Sequence, residues 1–420
     1  MTILTGAYHR PWSQPGSVIL SMNDPLARAI GERARLQRIA SRRTKTVVAG
    51  LAGITPEYLY QIERGQKLPT VAVLTQLATA LGVSVGELVE GQPARAPARA
   101  KSAAGDALYR ALTSPPIDEH APPALPQLSR DIAAAWTTWQ TSPRRYTQVA
   151  AVLPRLIADT EQGLRQSGSD TARASQRCAA DLYGLVRTVA KRVGRSDVSL
   201  LAADRAVRAA EAADDPLRLA SAHWNLTQVL LADGQAEGAE DVALRAAGSL
   251  ESVVRQGNAD AVALYGSLLL IGAVAAVRRG DAWTARARLD QAAPLADQTG
   301  EHNIYWTAFG PTNVAMFAVS VEVESGEAVE GLRMARQVAH DRSPSIERRV
   351  AFLLDQAKGY QLRRDYNSAL RLLGDAEREA PEDLRHRPAA HAILRTVVQR
   401  GGRTVAGEAA GLALRIGLPV

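Results

Sequence analysis

From about Leu128 onward, apolar and small residues recur at helical spacing almost without interruption, and no strand-like alternation competes. The segments are rich in Ala, Leu and Val. Breaks fall at Gly168, Gly194, Asp214-Asp215-Pro216, Gly234, Gly257, Gly280, Gly300, Gly326, Pro344, Asp365, Pro381 and Gly401. This punctuation predicts roughly fourteen helices of about 12–24 residues. A longer period lies over it. Gly234-Gln-Ala-Glu-Gly-Ala239, Gly280-Asp-Ala-Trp-Thr-Ala285, Gly326-Glu-Ala-Val-Glu-Gly331 and Arg364-Asp-Tyr-Asn-Ser-Ala369 share one layout: a tight turn, a polar residue, and a small residue five positions after the turn. Their spacings of 46, 46 and 38 residues are the scale of a helical hairpin repeated along a solenoid. The small residue lets the two helices of a hairpin approach closely.

A different pattern stands near the amino end. Leu51-Ala-Gly-Ile-Thr-Pro-Glu-Tyr-Leu-Tyr-Gln-Ile-Glu-Arg-Gly65 reads as the end of one short helix, a three-residue turn and a second helix. Thr55 suits the cap, where its hydroxyl accepts from an orphan backbone N–H, and Pro56 suits the first helical position, where a missing donor costs nothing. Leu59 and Ile62 share one face, while Glu57, Tyr58 and Gln61 point elsewhere. The pattern predicts a helix-turn-helix, whose second helix enters the DNA major groove.

Ile30-Gly-Glu-Arg-Ala-Arg-Leu-Gln-Arg, Lys45-Thr-Val-Val-Ala-Gly-Leu-Ala-Gly-Ile54, Ile62-Glu-Arg-Gly65 and Leu77-Ala78…Leu81-Gly-Val83 extend the match over residues 24–90. This stretch resembles the five-helix DNA-binding domain of Cro and phage-repressor type regulators, the Xre family. Arg42 and Arg43 depart from that family's pattern, where a Gly and a small apolar residue usually stand. The resemblance implies that the exposed start of the recognition helix (Thr55, Pro56, Glu57, Tyr58 and Gln61) reads base edges. Of Tyr58 and Tyr60, one stacks on the first helix or reaches a phosphate. Lys45, Arg64 and Lys67 are placed by the same resemblance against backbone phosphates. It further implies a homodimer on a near-palindromic operator of double-stranded DNA. The later hairpins resemble tetratricopeptide repeats with lengthened loops, and the early helices resemble the repeat domains of actinobacterial Xre regulators.

Charge sharpens the division of labour. Residues 1–110 hold 14 Lys and Arg against 7 Asp and Glu, whereas residues 111–420 hold 36 of each, so the whole net charge of +7 sits at the helix-turn-helix end. A polyanion partner at one end follows. Residues 1–23 are punctuated by Pro, Gly and Ser and predict a disordered tail; 91–126 read as a linker containing a short helix from Asp106 to Leu112; 127–420 form the repeat domain. Cys178 is the single cysteine, best read as a buried small hydrophobe, and its solitude fits a reducing cytoplasm. Leu264 to Val277 is the most apolar run and reads as a core helix rather than a membrane span.

Catalytic chemistry finds no footing. The seven histidines are scattered, and no phosphate loop, nucleophile elbow or Cys/His pair occurs, so the reading is a non-enzymatic protein with no metal and no cofactor. Asp214-Asp215 before Pro216 read as helix caps and turn formers. The inner wall of a helical solenoid is lined by the first helix of each pair. Asn225, Gln228, Tyr265, Phe309, Asn313 and Tyr360 fall there as candidates for an effector, with interhelix packing the competing role for each aromatic. The sequence as a whole predicts an all-α cytoplasmic transcription regulator: a helix-turn-helix domain followed by a tetratricopeptide-like α-solenoid that senses a peptide, a small molecule or a protein partner. The alternative is a repeat-domain scaffold or antitoxin-like adaptor carrying a DNA-binding head.

Overall fold

A computed structural model describes residues 25–41, 43–89, 103–113 and 123–418. The amino-terminal tail, Arg42, most of the linker, His9 and His120 lie outside the described residues. The chain forms two units, residues 1–100 and 101–420. All regular structure among the described residues is helical, apart from an isolated bridge between His302 and Phe309.

The first unit contains α1 (Pro25–Ala40), α2 (Lys45–Leu51), α3 (Pro56–Glu63), α4 (Val71–Leu81) and α5 (Val85–Val89). Threonine hydroxyls cap three of them: Thr44 accepts from the Val47 N–H at 3.3 Å, Thr55 from Tyr58 at 3.1 Å and Thr70 from Val73 at 3.4 Å. Ile30, Ala34, Val48, Leu59, Ile62, Leu74, Leu77, Leu81 and Leu88 close one apolar core. Two glycines set how near α1 and α3 can lie. A Cβ on Gly31 would stand 2.0 Å from the carbonyl oxygen of Ile62. One on Gly65 would stand 2.6 Å from the Cα of Arg28, and Gly65 also holds a φ of +68°. Arg43, which departs from the family pattern, donates to the Ala80 carbonyl at 2.5 Å and so ties the α1–α2 turn to the carboxyl end of α4.

The second unit starts with α6 (Ala103–Thr113), α7 (Leu125–Thr141), α8 (Arg145–Gln166), α9 (Ser169–Arg192) and α10 (Ser196–Ala212). Then come the hairpins α11 (Pro216–Ala232) with α12 (Ala236–Arg255), α13 (Ala259–Arg278) with α14 (Ala282–Thr299), and α15 (Pro311–Glu324) with α16 (Ala328–Ala335). The unit ends in α17 (Ile346–Leu362) with α18 (Tyr366–Glu379), and α19 (Pro388–Arg400) with α20 (Arg403–Arg415). Each first helix packs on its own partner and on the first helix of the next pair, as in an α-solenoid. The linker reading needs one correction. Helix α6 is part of the fold, because Leu108 and Leu112 are buried with Leu128 and Leu153 in the unit's first core.

The repeated turns behave as their residues dictate. Gly234, Gly280 and Gly326 take φ values of +77°, +88° and +95°, and Arg364 takes the same left-handed place at +62°. Five positions on, Ala239, Ala285 and Ala369 are fully buried, and a Cβ on Gly331 would meet Val323 Cγ2 at 2.8 Å. Asp215 caps α11 by accepting from the Arg218 N–H at 3.0 Å, and Asp214 forms the turn at φ +53°. Helix α13 is long and apolar enough to cross a membrane, but nearly all of it is buried between its neighbours.

The carboxyl-terminal hairpins return to the start of the same unit. Arg145 on α8 donates to Asp383 Oδ1 at 2.6 Å, Tyr146 Oη donates to the same oxygen at 2.6 Å, and Trp139 Nε1 donates to Glu347 Oε2 at 3.0 Å. Between them, the segment 302–309 crosses to α7. Gln140 donates to the Trp306 carbonyl at 2.8 Å, and the Trp136 and Trp306 rings stack at 4.6 Å, tilted by 5°. Three non-glycine residues of this strap, Tyr305, Trp306 and Ala308, have positive φ (+46°, +60° and +55°), strain that its anchorage must offset.

Candidate nucleic-acid interface

Helix α3 is held from behind and open in front. Leu59 and Ile62 are buried against α1, α2 and α4, whereas Thr55, Pro56 and Glu57 at its amino end are exposed. Tyr58, Tyr60 and Gln61 are half-buried along its flank. Glu57 lies in the first turn, where its carboxylate also complements the helix dipole.

The cations beside α3 are organised by its aromatic residues. Lys45 Nζ lies 4.4 Å from the centre of the Tyr60 ring. Arg64 lies 5.5 Å from the centre of the same ring and donates to Tyr60 Oη at 2.6 Å. Lys67 lies 5.9 Å from the Tyr58 ring. Such cation–π contacts steady long side chains without neutralising them. Tyr60 therefore steadies both cations.

Sequence reasoning missed the buried acid underneath. Glu63 is 7% exposed and receives two hydrogen bonds from Arg38, at 2.6 and 3.0 Å, while Lys45 Nζ stands 4.0 Å away. Glu63 is thus a strut between α1 and α3, with Lys45 at its edge. Its only advance signal was an acidic residue three positions after Tyr60, on the same side as the apolar pair.

Residues 29–90 match the helix-turn-helix domain family. Over 56 residues, 13% of this chain and 71% of the relative, the sequence is 46% identical to the HTH-type transcriptional regulator y4dJ of Sinorhizobium fredii (strain NBRC 101917 / NGR234). The chain belongs to the helix-turn-helix transcriptional regulators.

Solved structures similar to this regulator include Bacillus thuringiensis PlcR in complex with the peptide PapR7 and DNA, at 12% identity and a TM-score of 0.29 over 64% of this chain and 95% of that one. The apo form of ComR from S. thermophilus follows at 13% identity and a TM-score of 0.26, covering 85% of this chain and 97% of that one. At such scores no feature transfers from them.

Inside the regulator's second unit, the six effector candidates divide. Asn225 and Gln228 come together on α11, but both already accept from cations of α9: Asn225 Oδ1 from Arg187, and Gln228 Oε1 from Lys191 at 3.2 Å. Asn313 on α15 accepts from Arg348 Nε at 2.9 Å. Tyr265 is half-buried against the central core and Tyr360 against the carboxyl-terminal one, so neither joins the Asn225 group. Phe309 is corrected outright. It is fully buried, and its ring fills the place that a side chain on Gly266 of α13 would take, 2.1 Å from the ideal Cβ, so it is a core residue rather than a groove residue. Cys178 is buried as read, and burial raises its thiol above the ordinary value.

The inner polar side chains form one network that the sequence did not announce. Burial works against ionisation of Asp383, but Arg387, Arg145 and Arg192 outweigh it and hold the carboxyl well below the usual carboxylate range. Glu347 behaves alike: burial opposes its charge, and Arg192, Arg145, Arg387 and Lys191 overcome that. Burial pushes Asp355 up to about 6, with Arg348 opposing. These groups come from α8 and α9 on one side and from α17 and the turn before α19 on the other, and Arg192 and Glu347 that join the two sides are 155 positions apart along the chain.

Proposed function

We propose that this protein is a sequence-specific, Xre-type transcriptional regulator that acts in the cytoplasm and grips a near-palindromic operator as a homodimer. The observation that carries this reading is α3 itself: an exposed polar start of Thr55, Pro56 and Glu57, backed by buried Leu59 and Ile62 and flanked by Lys45, Arg64 and Lys67. Gln61 would pair with adenine N6 and N7, Glu57 would accept from a cytosine amino group, and Pro56 or Tyr58 would pack on a thymine methyl. The cations would take phosphates and fix position. One such domain spans too few base pairs for tight binding, which favours two copies on half-sites about 34 Å apart.

The second unit, read as tetratricopeptide-like, would sense a peptide, a small molecule or a protein partner and change operator affinity by preferring one arrangement of its hairpins. Genome-wide binding followed by an electrophoretic shift assay on the recovered operator, with sedimentation of the complex, tests the reading. A two-to-one complex on a palindromic site supports it, and a protein that ignores duplex DNA even at low salt overturns it. A docking scaffold or antitoxin-like adaptor remains the competing reading. The exposed amino end of α3 speaks against a vestigial DNA-binding head.

A further inference from the structure

The connections that lead into α11 and α13 are three residues long, 213–215 and 256–258, but eleven residues, 300–310, lead from α14 into α15. The extra length forms the strap that lays Trp306 flat on Trp136 of α7. These two rings wall a cleft that α9 and α11 complete. Asp181 and Arg218, joined by two hydrogen bonds of 3.1 Å, make it polar on one side, and Ser221 and Asn225 line it as well. Gly184 is part of the same wall. A Cβ there would stand 3.1 Å from Asn225 Nδ2 and 3.5 Å from Trp136 Cζ2, so an atom in that place touches ring and amide at once. With Trp306 in position about 10 Å³ stays free, room for a single water.

The strap is lightly tied. Its side-chain hydrogen bonds to α7, among the described residues, both run through Gln140, which donates to the Trp306 carbonyl at 2.8 Å and accepts from Asn303 Nδ2 at 2.6 Å. Trp306 is only half-buried and Asn303 is exposed. Against these ties stands the left-handed backbone of Tyr305, Trp306 and Ala308, which residues other than glycine keep only while their surroundings enforce it. An occupant that supplies the same ring without the backbone strain competes with Trp306 on favourable terms.

We infer that this cleft is a binding site for a planar aromatic group of indole size, and that Trp306 is its resident, displaceable occupant. The incoming ring stacks on Trp136 where Trp306 now lies, and its polar edge meets Ser221 and Asn225. Trp306, once displaced, releases the strap from α7. This names the class of effector for the sensing role proposed above, and it rests on that role only for a consequence at the operator.

The test uses the full chain without DNA, labelled with fluorotryptophan and followed by fluorine NMR, with the Trp136 and Trp306 signals assigned by single replacements. Indole and N-acetyltryptophanamide are the probes, and cyclohexanol is the saturated control. In wild type both signals should move saturably with at least one aromatic probe and stay in place with cyclohexanol. Indole alone assigns a free aromatic molecule, N-acetyltryptophanamide alone an aromatic side chain carried by a peptide, and equal responses mean that the ring by itself is read. Trp306→Ala should bind about tenfold tighter or more, because the competing occupant is gone. Truncation could also create a hole of its own, so Gln140→Ala supplies the control: it keeps both rings, cuts the ties of the strap, and should tighten binding severalfold. Trp136→Leu should abolish the response. A wild type that ignores both aromatic probes, an equal response to cyclohexanol, or tightening in Trp306→Ala without any in Gln140→Ala would each overturn the inference. Operator affinity with and without the bound probe is read separately: no change there leaves the site standing and removes only its part in regulation.

Discussion

Replacing Glu63 by Gln removes one charge from beneath α3 while keeping the side chain's shape. The Glu63 carboxylate has 2% of its side-chain surface exposed and Arg38 has 12%, so the pair is largely removed from water. Removing one partner of a buried pair costs about 3–5 kcal/mol, because the other charge is left uncompensated. The new amide recovers about 1 kcal/mol through a neutral hydrogen bond. The expected loss is therefore about 2–4 kcal/mol, against a total of roughly 3–10 kcal/mol for a unit of this size. Circular dichroism of the full chain is dominated by the second unit, so the assay is amide hydrogen exchange at Leu59 and Ile62. Their protection should fall by about 30-fold to several-hundred-fold at about 1.4 kcal/mol per tenfold, while amides of α13 keep theirs. A second variant isolates the pair: Arg38→Met with Glu63→Leu replaces both charges by apolar groups and should restore most of the protection. If protection in Glu63→Gln stays within threefold of wild type, Glu63 is not the strut described here.

Gln61→Ala should relax base choice at one operator position by about 1–3 kcal/mol, whereas Lys67→Ala should weaken all sequences alike and reduce the salt slope by about 1; identical effects in binding titrations would show the roles misassigned. Gly266→Ala pushes a methyl into the Phe309 ring, and overpacking of this kind should cost about 1–3 kcal/mol, read as a lower melting temperature without change in operator contacts. His386 stacks on Tyr146 at 4.4 Å, and burial, partly offset by Asp383 and Glu382 and reinforced by Arg385 and His391, lowers it to about 4. Since the unfolded chain takes up that proton near its ordinary pKa of about 6.5, stability should be full above that pH and fall as pH drops toward 4. His386→Phe keeps the stack and should flatten this slope, and an unchanged melting profile between those pH values would refute the assignment.

How far the fold could be read in advance depended on the range of the forces involved. Thr55 and Pro56 announce α3 because capping is decided within four residues, and Leu59 and Ile62 announce its buried face because helical periodicity is local. The turns at Gly234, Gly280 and Gly326 were visible for the same reason, and Arg364 was found only because the residues after it keep the pattern. Helix α6 was misread as linker because its length gave no hint that Leu108 and Leu112 have a distant core to enter. Phe309 was misread because nothing near it in sequence names Gly266 as the vacancy it fills. The role of Glu63 went unread, since Arg38 lies 25 positions away.

The chain's local order therefore determined its all-helical character, the helix-turn-helix with its outward polar flank, the hairpin repeat, and the concentration of positive charge at one end. Each follows from propensity, capping and periodicity acting over one or two turns. Tertiary structure alone decided which charges are buried together. Arg145 meets Asp383 across 238 positions and Trp139 meets Glu347 across 208. The electrostatic cost of burying a charge depends on its neighbours in space, and those are chosen only when the hairpins have packed.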